Sequence, residues 1–283
     1  MLRARVSSLI GGLGTLAILL GAAGARAEGP TVTPVPGKPV LLLSGFDLAP
    51  LGYSTEEFFI SGTATSYSLA GGQTPDGHWR ATVAATAPYV TRIVAVRPTD
   101  AHKFNGTVVV EWLNVSAGTD ATPDWNAAHR QIMRGGYAYV GVSAQKVGVE
   151  GGPSIAGLNA MAASLKKANP ERYGSLNHPG DAFSYDIYSQ AGWLLRQPKA
   201  SGVLGPLAPK RIIAAGESQS AVFLTTYVNA VDPLAKVYDG FLRKPASADE
   251  TSHRLARTGH HCDHRGRPDR RRASRFLRRP PTR

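Results

Sequence analysis

The stretch Arg211-Ile-Ile-Ala-Ala-Gly216-Glu217-Ser218-Gln219-Ser220-Ala221 decides how this chain reads. A short apolar β run, Arg211–Ala215, enters a Gly-x-Ser-x-Ser turn, and helical periodicity follows over Ser220–Val231 until Asp232-Pro233. A serine between a strand and a helix fits a nucleophile elbow, a tight turn that strains the serine backbone and lifts its hydroxyl above the sheet. Residues two before and two after must then be small. Gly216 and Ser220 meet that demand, with Ser220 standing where glycine is commoner. The following helix would place its positive end beside Ser218, where developing negative charge is stabilised. Taken alone, the string also fits an ordinary helix start capped by Ser218 or Ser220; the strand before and the helix after favour the elbow.

Working outward, strands alternate with helices. Val40–Leu43, Glu57–Tyr67 and Tyr89–Arg97 read as strands, and Thr107–Leu113 as a strand buried on both faces. Thr122-Pro123-Asp124 places a cap, a first-turn proline and an acid ahead of a helix over Trp125–Arg134, closed by Gly135-Gly136. Tyr137–Val142 and Val237–Leu242 are further strands, and Asp181 caps a helix carrying Phe183, Ile187, Ala191 and Leu194. Between them, residues 144–180 form a long excursion in which Ile155, Leu158, Met161, Ala162 and Leu165 have helical spacing, a lid or a surface flap. The pattern predicts an α/β fold with a mostly parallel sheet covered by helices on both faces.

The loop after Thr107–Leu113 begins Asn114-Val115-Ser116. In a serine hydrolase of this architecture one oxyanion donor is the N–H after the nucleophile, here Gln219, and the other comes from such a loop, near Asn114 or Val115. Glu111 reads as a carboxylate paired with a nearby arginine rather than as a catalytic acid. His178-Pro179-Gly180-Asp181 does not read as a catalytic pair, because Asp181 is needed as a cap. No phosphate-binding or dinucleotide-binding glycine pattern follows a strand, so no cofactor is expected.

The net charge of +12 is concentrated at the ends. Met1–Ala27 holds three arginines and no acid; Arg243–Arg283 holds 13 basic residues against four acidic; residues 28–242 balance at 16 of each. A neutral body argues against a specific nucleic-acid partner. Arg3 and Arg5, an apolar run over Val6–Ala23 and Ala25-Arg26-Ala27 have the three parts of a secretory signal peptide, the alternative being a membrane anchor; no later stretch is long enough to span. The expectation is an exported, periplasmic or extracellular protein without disulfides, since the only cysteine is Cys262.

The body resembles the bacterial alpha/beta hydrolase domain proteins. The resemblance rests on Leu51-Gly-Tyr with Glu56-Glu-Phe-Phe-Ile-Ser-Gly-Thr-Ala-Thr, Phe104-Asn-Gly-Thr-Val-Val-Val-Glu-Trp-Leu-Asn-Val-Ser, Gly141-Val-Ser-Ala-Gln-Lys-Val-Gly-Val, Pro170-Glu-Arg-Tyr-Gly-Ser-Leu with His178-Pro-Gly-Asp, and Ala215-Gly-Glu-Ser-Gln-Ser-Ala, spread over residues 51–242. It implies an α/β-hydrolase fold, Ser218 as nucleophile and a small-molecule substrate, most simply a carboxylic ester. In that fold an acid and then a histidine follow the nucleophile. Here the text turns instead into the arginine-rich Arg243–Arg283, whose only large apolar residues are Leu255, Phe276 and Leu277. That segment reads as a disordered, out-of-frame tail, leaving the sheet incomplete at the C-terminus and the chain nearly inactive. His260-His261-Cys262-Asp263-His264 lacks the spaced pairs of a metal site. The competing function is a non-catalytic secreted protein that binds anionic surfaces through this tail.

Overall fold

Along β4 (Thr107–Trp112), Val108, Val110 and Trp112 point to one side and Val109 and Glu111 to the other, and most of these side chains are buried. Such a strand needs cover on both faces. In the computed structural model, which describes residues 29–41, 43, 45, 47–152 and 163–245, it lies inside a seven-stranded sheet with β1 (Thr31–Val35), β2 (Tyr53–Ala70), β3 (Arg80–Pro98), β5 (Ala138–Val142), β6 (Arg211–Glu217) and β7 (Gly240–Lys244). The order is β1-β2-β3-β5-β4-β6-β7. Pairings β5-β4, β4-β6 and β6-β7 are parallel, whereas β1-β2, β2-β3 and β3-β5 are antiparallel. The sheet is therefore mixed, with its parallel half carrying the elbow.

Helix α1 (Pro123–Arg134) covers one face, packing Trp125 and Ile132 on Val94, Val96 and Tyr139. On the other face α5 (Ser184–Arg196) and α7 (Gln219–Thr226) bring Ile187, Tyr188, Leu195 and Leu224 against Val108, Val110, Trp112, Val140 and Ile212. Short helices α2 (Lys146–Glu150), α3 (Leu165–Ala168), α4 (Pro170–Tyr173) and α6 (Pro198–Ser201) fill the connections.

Several expectations are corrected. Of the strand expected at Val40–Leu43, the described residues Val40, Leu41 and Leu43 lie in none: the Leu43 side chain is buried and its carbonyl oxygen accepts the Trp125 indole N–H. The strands expected at Glu57–Tyr67 and Tyr89–Arg97 are longer, because the hairpin continues beyond the core through exposed, mostly small residues such as Ala84, Ala85 and Thr86, with Val83 also exposed. Asp232-Pro233 does not stop the last helix. The proline falls in the first turn of α8 (Asp232–Ala235), where its missing N–H costs nothing, and Tyr227–Val231 joins α7 to α8 as a π-helical turn. Val237 and Tyr238 are core residues outside any strand, and β7 runs on through Arg243 and Lys244, two residues expected in the tail. The signal peptide, the amphipathic stretch at residues 153–162 and the rest of the basic segment lie outside the described residues. Among the described residues no helix is long and apolar enough to cross a membrane.

Candidate active site

Ser218 has φ 56° and ψ −118° and sits between β6 and α7. It is one of two non-glycine residues at positive φ among the described residues, in a region that costs on the order of 1–3 kcal/mol. The turn is held by its flanks. A Cβ on Gly216 would meet the Ser220 carbonyl oxygen at 3.1 Å and carbon at 3.2 Å, so residue 216 has to be glycine or push the helix away. Ser220 is fully buried; its hydroxyl donates to Glu217 O at 2.9 Å and accepts from Glu217 N at 3.3 Å. The hydroxyl that distinguishes Ser220 from the commoner glycine thus ties the elbow to itself. The Ser218 N–H donates to Lys244 O at 2.8 Å, which anchors the turn to the end of β7.

The loop after β4 comes alongside. The Asn114 side-chain amide donates to Glu217 O at 2.9 Å, and its oxygen accepts Ser116 N at 2.9 Å. The two backbone amides expected as oxyanion donors differ. Asn114 N–H is spent on Ala121 O at 3.0 Å, in a bridge returned by Ala121 N–H to Asn114 O at 2.8 Å, so Asn114 serves through its side chain and not as a backbone donor. Val115 N–H faces the elbow, 3.4 Å from Gln219 Oε1. The Gln219 backbone opens α7 immediately after Ser218.

Carboxylates surround this corner. Glu111 is not paired with an arginine, contrary to expectation: its carboxylate accepts Asp124 N at 2.8 Å, Trp125 N at 3.0 Å and the Tyr139 hydroxyl at 2.7 Å. It caps α1 from the strand below, reaching the first-turn amides next to Thr122. Burial, then Asp124, pushes the Glu111 carboxyl up to about 8. Asp124 is raised to about 6 by burial, with Lys244 acting against the rise and Glu217 adding to it. Lys244 pairs with Glu217 and lies 4.0 Å from Asp124; the Glu217 hydrogen bond raises the lysine further.

Two of the described histidines direct ring nitrogens to backbone groups. His178 accepts Gly180 N at Nδ1, 3.2 Å, which leaves its proton on Nε2 to donate to Ala144 O at 2.8 Å; burial lowers its pKa. Both nitrogens are committed to backbone, so His178 is a neutral structural imidazole. Asp181 lies in a 3-10 turn ahead of α5 and does not cap it; its carboxylate instead accepts Lys146 N at 2.8 Å, at the start of α2. His129 Nδ1 contacts carbonyls of its own helix, and His78 and His102 lie in the turns before β3 and β4. Among the described residues no group of three or more His, Cys, Asp or Glu side chains is placed to hold a metal ion.

Sequence reasoning missed Gln145, Lys244 and the Gln219 side chain. Gln145 lies in the Gly141–Val149 segment that carried the resemblance, and that position was the available signal.

Ser218 thus lies in a strained strand-to-helix turn, at the carboxyl end of the parallel half of the sheet and beside the loop of a neighbouring strand. The chain belongs to the family described as "Alpha/beta hydrolase domain", which matches residues 23–279 and so extends into the basic segment. No curated protein matches it. Solved structures similar to it include acetyl xylan esterase 1 from Thermoanaerobacterium sp., 10% identical with a TM-score of 0.34, covering 68% of this chain and 46% of that one. A glucuronoyl esterase from Solibacter usitatus is 11% identical, TM-score 0.32, covering 71% and 49%. A carboxylesterase from Lactobacillus plantarum is 11% identical, TM-score 0.29, covering 58% and 45%. The chain spans less than half the length of each of these proteins.

Proposed function

We propose that the chain is an exported serine hydrolase acting on carboxylic esters, with Ser218 as nucleophile. The observation that carries this reading is the Ser218 backbone at φ 56°, ψ −118°, a strain that an ordinary helix cap does not require. Ser218 Oγ attacks the acyl carbon, and the former carbonyl oxygen takes the negative charge and accepts from Gln219 N–H and Val115 N–H. Collapse breaks the bond from acyl carbon to alcohol oxygen, and the alcohol leaves with the proton given up by the Ser218 hydroxyl; water then adds to the acyl-enzyme, releasing the acid and returning a proton to Ser218 Oγ.

Among the described residues no histidine is hydrogen-bonded to Ser218. The described residues thus supply a nucleophile and oxyanion donors. Esters are favoured over amides as substrates, because an alkoxide leaves with less help from an acid than an amine does. Reaction with a fluorophosphonate probe tests the reading: slow labelling lost in Ser218→Ala supports it, and labelling that survives the substitution overturns it.

A further inference from the structure

Trp112 Nε1–H donates to Gln145 Oε1 at 3.0 Å. An indole N–H can only donate, so it fixes which end of the Gln145 carboxamide is oxygen. That oxygen also lies 3.0 Å from Gln219 Nε2, which must be the NH2 end of its own carboxamide. Gln219 Oε1 is left facing Val115 N–H at 3.4 Å. A core tryptophan, fully buried, thus sets the orientation of a half-buried side chain at the site through Gln145, which is 2% exposed.

We propose that the Gln219 side chain plugs the oxyanion site: its carboxamide oxygen occupies the place of a substrate's acyl oxygen on Val115 N–H, and a substrate displaces it. This rests on the serine-hydrolase reading above. At 3.4 Å the plug is at the long limit of a neutral hydrogen bond, which a developing oxyanion outcompetes. Turning Oε1 away also breaks the Nε2 bond to Gln145, so the relay to Trp112, and not the long contact alone, sets the resistance to opening.

The test is the rate at which a fluorophosphonate probe forms an adduct on Ser218, followed by mass spectrometry in the full chain and in Gln219→Ala and Gln219→Glu. The backbone donor at residue 219 is intact in all three. Removing the plug accelerates the adduct roughly five- to a hundredfold, the range set by the two hydrogen bonds that opening breaks. The Gln219→Glu substitution retards it, because a carboxylate grips Val115 N–H more tightly and repels the oxyanion. Gln219→Ser, which also withdraws the carboxamide, has to repeat the acceleration should the alanine chain melt early. A slower adduct in the alanine and serine chains, still on Ser218, would overturn the plug and leave the hydrolase standing, since a side chain that merely supports the loop slows every variant. No adduct on Ser218 in any chain would overturn both.

Discussion

The Asn114 side-chain amide donates to the Glu217 carbonyl oxygen at 2.9 Å, joining the loop after β4 to the residue that precedes Ser218. Two segments about a hundred residues apart in sequence are thereby held together. Replacing Asn114 by alanine removes this bond and the acceptor of Ser116 N. The expected outcome is a loss of about 1–2 kcal/mol in urea unfolding and slower probe labelling of Ser218, by roughly tenfold. Unchanged labelling would mean that the loop is placed by other contacts.

Ser218 illustrates a conflict between stability and function. Glycine accepts a φ of 56° without strain, so Ser218→Gly is expected to raise the melting temperature by roughly 2–4 °C while abolishing labelling. The relief of strain has to exceed the extra entropy that glycine gives the unfolded chain. A lower melting temperature would show that the strain relieved is smaller than this entropy term.

Glu111 and Asp124 make stability depend on pH. The folded Glu111 carboxyl binds its proton up to about 8, against an ordinary value of 4.5, so between these pH values the folded chain holds a proton the unfolded chain releases. Raising pH through that window therefore favours unfolding. Asp124 adds the same slope between 3.8 and about 6. In Glu111→Gln the amide end cannot accept, so the variant starts less stable at low pH. Its disadvantage then shrinks by about 1 kcal/mol or more as pH rises towards 8. Melting curves of the two chains from pH 4 to 9 check this; a constant offset would refute it.

Arg92 is fully buried, with ion pairs to Asp120 at 2.7 Å and Glu57 at 3.4 Å and bonds to Ser143 Oγ at 3.0 Å and Val40 O at 2.8 Å. It links the first residues of the body to the loop that bears Val115. Arg92→Met leaves two carboxylates short of a buried cation and is expected to cost about 3–5 kcal/mol, read from urea denaturation. A loss below about 1 kcal/mol would show that Arg172, which also pairs with Glu57, compensates.

How much of this was legible in the sequence follows from the range of each interaction. The strand and helix flanking Ser218, β4 and α1 depend on local periodicity and turn chemistry, and they form where the residues place them. Val40–Leu43 did not, because an apolar run is equally suited to burial without pairing, and Trp125 takes the Leu43 carbonyl. The partner of Glu111 was invisible because it is the backbone of a helix 13 residues on, not a side chain with a charge. Lys244 was hidden by composition: its neighbours are those of a basic tail, yet pairing with β6 makes it a strand residue. The Gln219–Gln145–Trp112 relay links three segments and has no local signature.

Ser218 as the nucleophile is tested most directly by locating the adduct after prolonged incubation with a fluorophosphonate. Digestion and mass spectrometry should find the added mass on the peptide carrying Glu217-Ser218-Gln219, assigned to Ser218 by fragmentation and missing from Ser218→Ala. An adduct on Ser220 or another residue, or no adduct at Ser218, would contradict the account.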